Sequence, residues 1–140
     1  MSFIQPVNLF WLCVVFFFAI CLSGCQNKED KIKKKAQELM TTQTLGIAYL
    51  EEFKLDEAEK EFLKYIKLSP KEKLGYANLG LTYLRSGKYD EAKKQLSKAI
   101  KIDPKDPDIR LILATVYQMN DERDIAINEL KEALTFAPNH

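Results

Sequence analysis

Three prolines, Pro70, Pro104 and Pro138, stand 34 residues apart, and the same interval links Ala58, Ala92 and Ala126 and again Tyr49, Tyr83 and Tyr117. Register kept at three independent columns means that one supersecondary unit is written three times. Such a chain folds as a stack of like units, each burying its apolar face against the next. Within each copy the apolar residues recur three and four apart, the spacing that lines one face of an α-helix. Leu45 and Tyr49, then Ala58, Phe62 and Ile66, form one such set; Leu79 and Tyr83, then Ala92, Leu96 and Ile100, form the next. Each copy therefore reads as two amphipathic helices. Ser69-Pro70, Asp103-Pro104 and Ala137-Pro138 stop the second helix, because proline pushes the residue before it out of the helical region.

Smaller residues refine this picture. Gly46, Gly80 and Ala114 share a column and let paired helices approach closely. Gly87 suits the turn between helices, where a left-handed backbone is expected. The third copy has Asp121 beside Asn120 at that turn, which tolerate the conformation, whereas the first has Phe53, which does so poorly. A different geometry is expected there.

The middle copy reads Tyr76, Leu79, Gly80, Tyr83, Ala92, Leu96, Ala99, Pro104. The first reads Thr42, Leu45, Gly46, Tyr49, Ala58, Phe62, Tyr65, Pro70, and the third Arg110, Leu113, Ala114, Tyr117, Ala126, Leu130, Ala133, Pro138. This pattern resembles the tetratricopeptide repeat. Departures are mild: the large aromatic at the fourth position survives only as Tyr76, Gly becomes Ala114, and Tyr65 replaces a small residue. The resemblance covers residues 39–140, in copies at 39–72, 73–106 and 107–140, and implies an all-α fold. Helical pairs are expected near 41–52/55–68, 71–86/89–102 and 106–119/122–136, stacked as a short right-handed superhelix with a concave face.

In the family the concave face is lined mainly by the first helix of each pair. Carried onto this sequence, its positions are Met40, Gln43, Ile47, Leu50, Glu51; Leu74, Ala77, Leu81, Leu84, Arg85; and Asp108, Leu111, Thr115, Gln118, Met119. Nine of the fifteen are apolar: Met40, Ile47, Leu50, Leu74, Ala77, Leu81, Leu84, Leu111 and Met119. So apolar a face implies that something covers it. An amphipathic helix or an apolar extended peptide fits; the alternative is self-cover, by the chain's own 28–40 segment or by another copy. Chaperone-binding members grip a carboxylate with Lys, Arg and Asn, but only Asn78 matches here, with Gln43, Ile47 and Asp108 at other contact positions, so that clamp is not expected. The sequence runs two residues past Pro138, with no polar capping helix, which puts Ile127, Leu134 and Phe136 at risk of exposure. Homo-oligomerisation through this end, or a longer architecture of more repeats, is the expected remedy.

The N-terminal part is a different object. All 21 Lys and Arg and all 20 Asp and Glu follow Asn27, and Leu9 to Leu22 are 14 consecutive apolar residues, the length of a signal-peptide core. Leu22-Ser23-Gly24-Cys25 then resembles a bacterial lipobox, in which small residues admit the protease and the thiol takes the lipid. By that resemblance residues 1–24 are a lipoprotein signal peptide, Cys25 is the acylated N-terminus, and 25–38 is a Lys-rich tether. No Lys or Arg precedes the apolar run, however, and Lys28, Lys31, Lys33, Lys34 and Lys35 follow it. That bias favours the second reading, an uncleaved anchor over residues 3–25 with cytoplasmic repeats. The same lysines could instead touch anionic headgroups beside the anchor.

A net charge of +1 gives no basic field for nucleic acid. The lone histidine, His140, removes the usual general base and any histidine-based metal site, and no cofactor is expected. Cys13, Cys21 and Cys25 leave no disulfide pair in the soluble part. Asp56/Glu57 and Asp90/Glu91 fall at second-helix starts, where negative charge offsets the helix dipole, so they read as capping rather than catalysis. The leading expectation is a non-enzymatic scaffold of the bacterial envelope, membrane-tethered, with repeats facing the periplasm or exterior and an unidentified protein or peptide partner. Its alternatives are a structural or oligomerising spacer and the N-terminal part of a larger repeat protein.

Overall fold

A computed structural model describes the backbone over residues 7–137 and the side chains over 28–137. Six helices follow one another: α1 (Val7–Glu51), α2 (Leu55–Leu68), α3 (Lys73–Arg85), α4 (Tyr89–Ile102), α5 (Pro107–Met119) and α6 (Arg123–Phe136). There is no strand among the described residues. The chain divides into units Met1–Glu38 and Leu39–His140, with α1 passing through the boundary. The apolar run at Leu9–Leu22 and Cys25 lie outside the residues whose side chains are described. Among the described residues no helix is long and apolar enough to cross a membrane.

Within the segment expected as a tether, residues 28–38 are helical and belong to α1. The composition explains it. No Gly or Pro interrupts Gln26 to Thr44, most of the residues from Lys28 to Leu39 are good helix formers, and Glu29 and Asp30 each stand four residues before a lysine.

In the second unit each repeat is an antiparallel pair, closed by contacts of α3 with α4 and of α5 with α6, and consecutive repeats meet through α2 with α3 and α4 with α5. The first helices α3 and α5 also touch each other, whereas α4 and α6 do not, among the described residues. First helices therefore form the inner layer and second helices splay outward. Phe62, Leu79, Leu96 and Val116 are wholly buried between them. A Cβ on Gly46 would stand 2.6 Å from the Phe62 ring, and one on Gly80 2.6 Å from Leu96 Cγ, so at these two positions a larger residue would force the facing side chain to shift. Ala114 fits its Cβ at the same column because its counterpart, Leu130, is 39% exposed and free to shift.

The first turn does not depart from the others. Phe53 adopts φ 58°, beside Gly87 at 71° and Asp121 at 62°. The bonds repeat as well, with the amides of Lys54, Lys88 and Glu122 donating to the carbonyls of Tyr49, Tyr83 and Tyr117 at 2.9, 2.9 and 2.8 Å. This closure satisfies the last carbonyls of each first helix, and its geometry dictates the left-handed residue whatever its side chain. The Arg85 guanidinium lies 5.5 Å from the Phe53 ring and donates to the Leu50 carbonyl at 2.8 Å, which offsets part of the strain.

The fourth-position residues of the second and third copies, Tyr76 and Arg110, make the same kind of bond. Tyr76 Oη donates to the Pro70 carbonyl at 3.0 Å, and Arg110 Nη2 donates to the Pro104 carbonyl at 3.3 Å. Each ties its helix to the proline that ends the preceding repeat. Arg110 also pairs with Glu129 at 2.8 Å, although its Nε is buried without a partner.

Candidate binding groove

The inner layer consists of α3, α5 and the repeat portion of α1, whose side chains on the open side form the candidate groove. Five of the nine apolar positions are exposed: Met40 at 70%, Ile47 at 37%, Leu74 at 41%, Leu111 at 49% and Met119 at 58%. Leu81 and Leu84 are half-buried and pack on the core. Leu50 and Ala77 are 5% and 6% exposed and belong to the core. Both were expected on the open groove surface and are found instead in the buried core cluster.

The groove has little charge. Of the fifteen positions only Glu51, Arg85 and Asp108 are ionisable. Arg85 is committed to the Leu50 carbonyl and the Phe53 ring, and the backbone carbonyl of Asn78 accepts from Thr82 Oγ1 at 2.8 Å. None of the fifteen positions is a lysine. Displaced ionisations occur at the repeat junctions instead. Lys73 Nζ lies 2.6 Å from both Asp103 and Asp106, and Lys93 Nζ lies 2.7 Å from Glu122 and 2.8 Å from Asp90. Hydrogen bonds to those carboxylates hold both ammonium groups well above the usual lysine range, while Asp103 and Glu122 are drawn below the usual carboxylate range, chiefly by the same two lysines. Tyr83 donates to Glu59 at 2.9 Å, and burial, assisted by that bond, pushes its hydroxyl up to about 12.

A second concavity was not legible as a site in the sequence. Pro107, Asp108, Leu111, Leu130, Ala133 and Leu134 enclose about 270 Å³ between α5 and α6. Its only signal in the sequence was the expected exposure of Ile127, Leu134 and Phe136, which are 48%, 50% and 40% exposed. No group of three His, Cys, Asp or Glu suited to a metal ion occurs among the described residues.

Antiparallel helix pairs stacked at a constant interval define a helical-repeat protein. Family profiles make the class specific: those described as TPR repeat and tetratricopeptide repeat match residues 82–121, 61–94 and 43–72, an unbroken run from 43 to 121. The chain belongs to the tetratricopeptide-repeat family. No curated protein matches it. Among solved structures it is similar to the TPR domain of Arabidopsis OM64, with 20% identity, 76% of this chain and 88% of that one covered, and a TM-score of 0.72. It is also similar to the TPR2B domain in the pHsp70 complex of yeast Sti1, with 24% identity, 71% and 80% coverage and a TM-score of 0.69. A third is the second TPR domain of human RPAP3 in complex with the HSP70 peptide SGPTIEEVD, with 21% identity, 76% and 88% coverage and a TM-score of 0.71. These likenesses establish the fold.

Proposed function

We propose that this chain is a tethered protein-interaction module whose inner helices bind an apolar segment, helical or extended, of a protein partner. The observation that carries the reading is the row of exposed large apolar side chains at Met40, Ile47, Leu74, Leu111 and Met119, contributed by all three first helices. Water-facing positions on consecutive helices have no structural need of large apolar side chains, whereas a docking surface does. Peptide complexes of similarly folded domains lend support to a peptide occupant. An acidic tail such as the one in the RPAP3 complex is a poor chemical match, because the single basic groove residue, Arg85, is already engaged. Ile47→Glu combined with Leu74→Glu tests the groove. In crosslinking from intact cells the double variant is expected to lose specific prey retained by wild type; identical prey lists would sink the reading.

Within this proposal Cys25 carries the lipid that holds the module to a bacterial membrane, repeats facing the periplasm or exterior, with support from the Leu22-Ser23-Gly24-Cys25 sequence. Two or three acyl chains anchor stably where one does not. The lysines that follow favour a second reading, an uncleaved anchor with cytoplasmic repeats. Labelling with a tagged fatty acid separates the two. Label in wild type and none in Cys25→Ala supports the lipoprotein; membrane retention of both without label supports the anchor.

A further inference from the structure

The 34-residue register allows each residue to be compared with its counterparts in the other copies, and the comparison leaves two faces unmatched. Leu79, one helical turn beyond the Gly75 that lies against the preceding repeat, and its counterpart Leu113 are 0% and 3% exposed, but their counterpart Leu45 is 42% exposed. At the other end Phe62 and Leu96 are wholly buried, whereas Leu130 is 39% exposed, and Leu134 is 50% exposed where Ile66 and Ile100 are half-buried. The exposed positions of α1 are those a first helix uses against a preceding repeat. Of the exposed positions of α6, Leu134 is the one a second helix sets against a following repeat, as Ile66 is set against Gly75. Both halves of one inter-repeat interface are thus present, unjoined, on the same chain.

We infer that a second copy of this chain docks head to tail, its α1 entering the hollow between α5 and α6 as the first helix of a fourth repeat. The two junctions inside the chain are the template. At the first, the Gly75 position lies against Tyr65 and Ile66, closely enough that a Cβ would stand 2.7 Å from the Tyr65 ring. At the second, the corresponding column sets Ile109 against Ala99 and Ile100, large and small exchanged. The open end presents Ala133 and Leu134 in that column, a small residue and an aliphatic one, and the α1 of another copy offers Thr41 to it. A side chain of intermediate size meets a small one, so the column closes without overlap. The hollow shares Asp108 and Leu111 with the candidate groove, but Leu45 and Leu134, at which the docking is tested, are not groove positions.

Charge supplies a register-specific test. Each internal junction pairs one column with the next repeat's turn, Glu59 with Lys88 at 3.3 Å and Lys93 with Glu122 at 2.7 Å. Between copies that column would set Ile127 against Lys54, whose ammonium is held by its own Glu52 at 2.6 Å. The intermolecular junction therefore lacks an ion pair and is weaker than the internal ones. Because a head-to-tail interface does not close on itself, assembly grows past two copies with concentration.

The experiment is sedimentation velocity of the full chain in mild detergent over a hundredfold concentration range, with helicity checked for every variant. Wild type is expected to grow beyond a dimer, Leu45→Glu and Leu134→Glu each to remain monomeric, and their equimolar mixture to stop at a one-to-one dimer, since it restores one intact junction. Ile127→Glu is expected to tighten association about threefold, the scale of an exposed ion pair, and Ile127→Lys to weaken it; Lys54→Glu added to Ile127→Glu is expected to reverse the gain. A monomeric wild type, a mixture that stays monomeric, or equal weakening by Ile127→Glu and Ile127→Lys would overturn the proposal. The two Ile127 variants, at an exposed position, keep it decidable if either leucine variant fails to fold.

Discussion

At the scale of single residues, the turn at Phe53 sets two effects against each other. A non-glycine residue in the left-handed region costs roughly 1–2 kcal/mol, against about 0.5 kcal/mol for an exposed cation–π contact and up to about 1 kcal/mol for the extra freedom of glycine in the unfolded chain. Phe53→Gly is therefore expected to stabilise by about 0.5 kcal/mol, and by about 1 kcal/mol where Arg85→Ala has already removed the cation. Urea unfolding of both pairs measures it; a loss in both backgrounds would show that ring packing outweighs backbone strain. The sequence showed where the left-handed residue belongs, through Gly87 and Asp121, but suggested that Phe53 would break the pattern. Chain geometry prevailed because the bond from the Lys54 amide to the Tyr49 carbonyl leaves no other backbone path. Gly80→Ala tests the neighbouring close approach. With Leu96 Cγ only 2.6 Å from the new carbon and no solvent-side space to yield into, it is expected to cost about 1–3 kcal/mol in the same assay.

Between elements, stability at the repeat junctions should depend on pH at both extremes. Asp103 and Glu122 have lowered folded pKa values, so their stabilisation is present above the ordinary carboxylate range, near 4, and is lost as pH falls through the lowered values. Both lie on the path joining the second and third repeats, so Glu122→Gln is expected to be less stable than wild type at neutral pH and to lose less on acidification from about pH 5 to 2. Equal acid slopes would remove Glu122 from the account. Tyr83 has the opposite sign: its folded value near 12 lies above the ordinary value of about 10, so its contribution is complete below that pH and lost as pH rises towards 12. Phenolate absorbance should show a late-titrating tyrosine that Tyr83→Phe removes. These junctions were hard to see in the sequence, because the columns alternate in sign, Glu59 with Lys88 but Lys93 with Glu122, and an averaged repeat pattern hides them. The helices themselves were readable from apolar spacing and the recurring prolines. The helical 28–38 segment was not, since a run of exposed Lys and Glu serves a helix and a solvated tether equally well.

For the whole molecule, a stack in which each repeat touches only its neighbours has a stability that is roughly a sum of local and nearest-neighbour terms. The middle repeat is covered on both sides, and Leu79, Thr82, Ala92, Leu96 and Ala99 are all wholly buried. The third is covered on one side, and α6 buries only Ala126 and Ala133 fully while Ile125, Ile127, Leu130, Leu134 and Phe136 are exposed. Depth of burial is also what the groove assignment lacked in the sequence, where Leu50 and Ala77 were indistinguishable from Leu74 and Leu111. Amide exchange resolves these depths. In dilute protein α3 and α4 are expected to exchange slowest and α6 first, by opening of the third repeat alone rather than by global unfolding. Added urea should then leave the rates of α6 nearly unchanged while accelerating α3 and α4, because local opening exposes little new surface. Uniform protection across all three repeats would mean instead that the junction bonded by Lys73, Lys93 and their carboxylates couples the stack into one cooperative unit, giving the inter-repeat ion pairs a larger share of stability than exposed pairs ordinarily have.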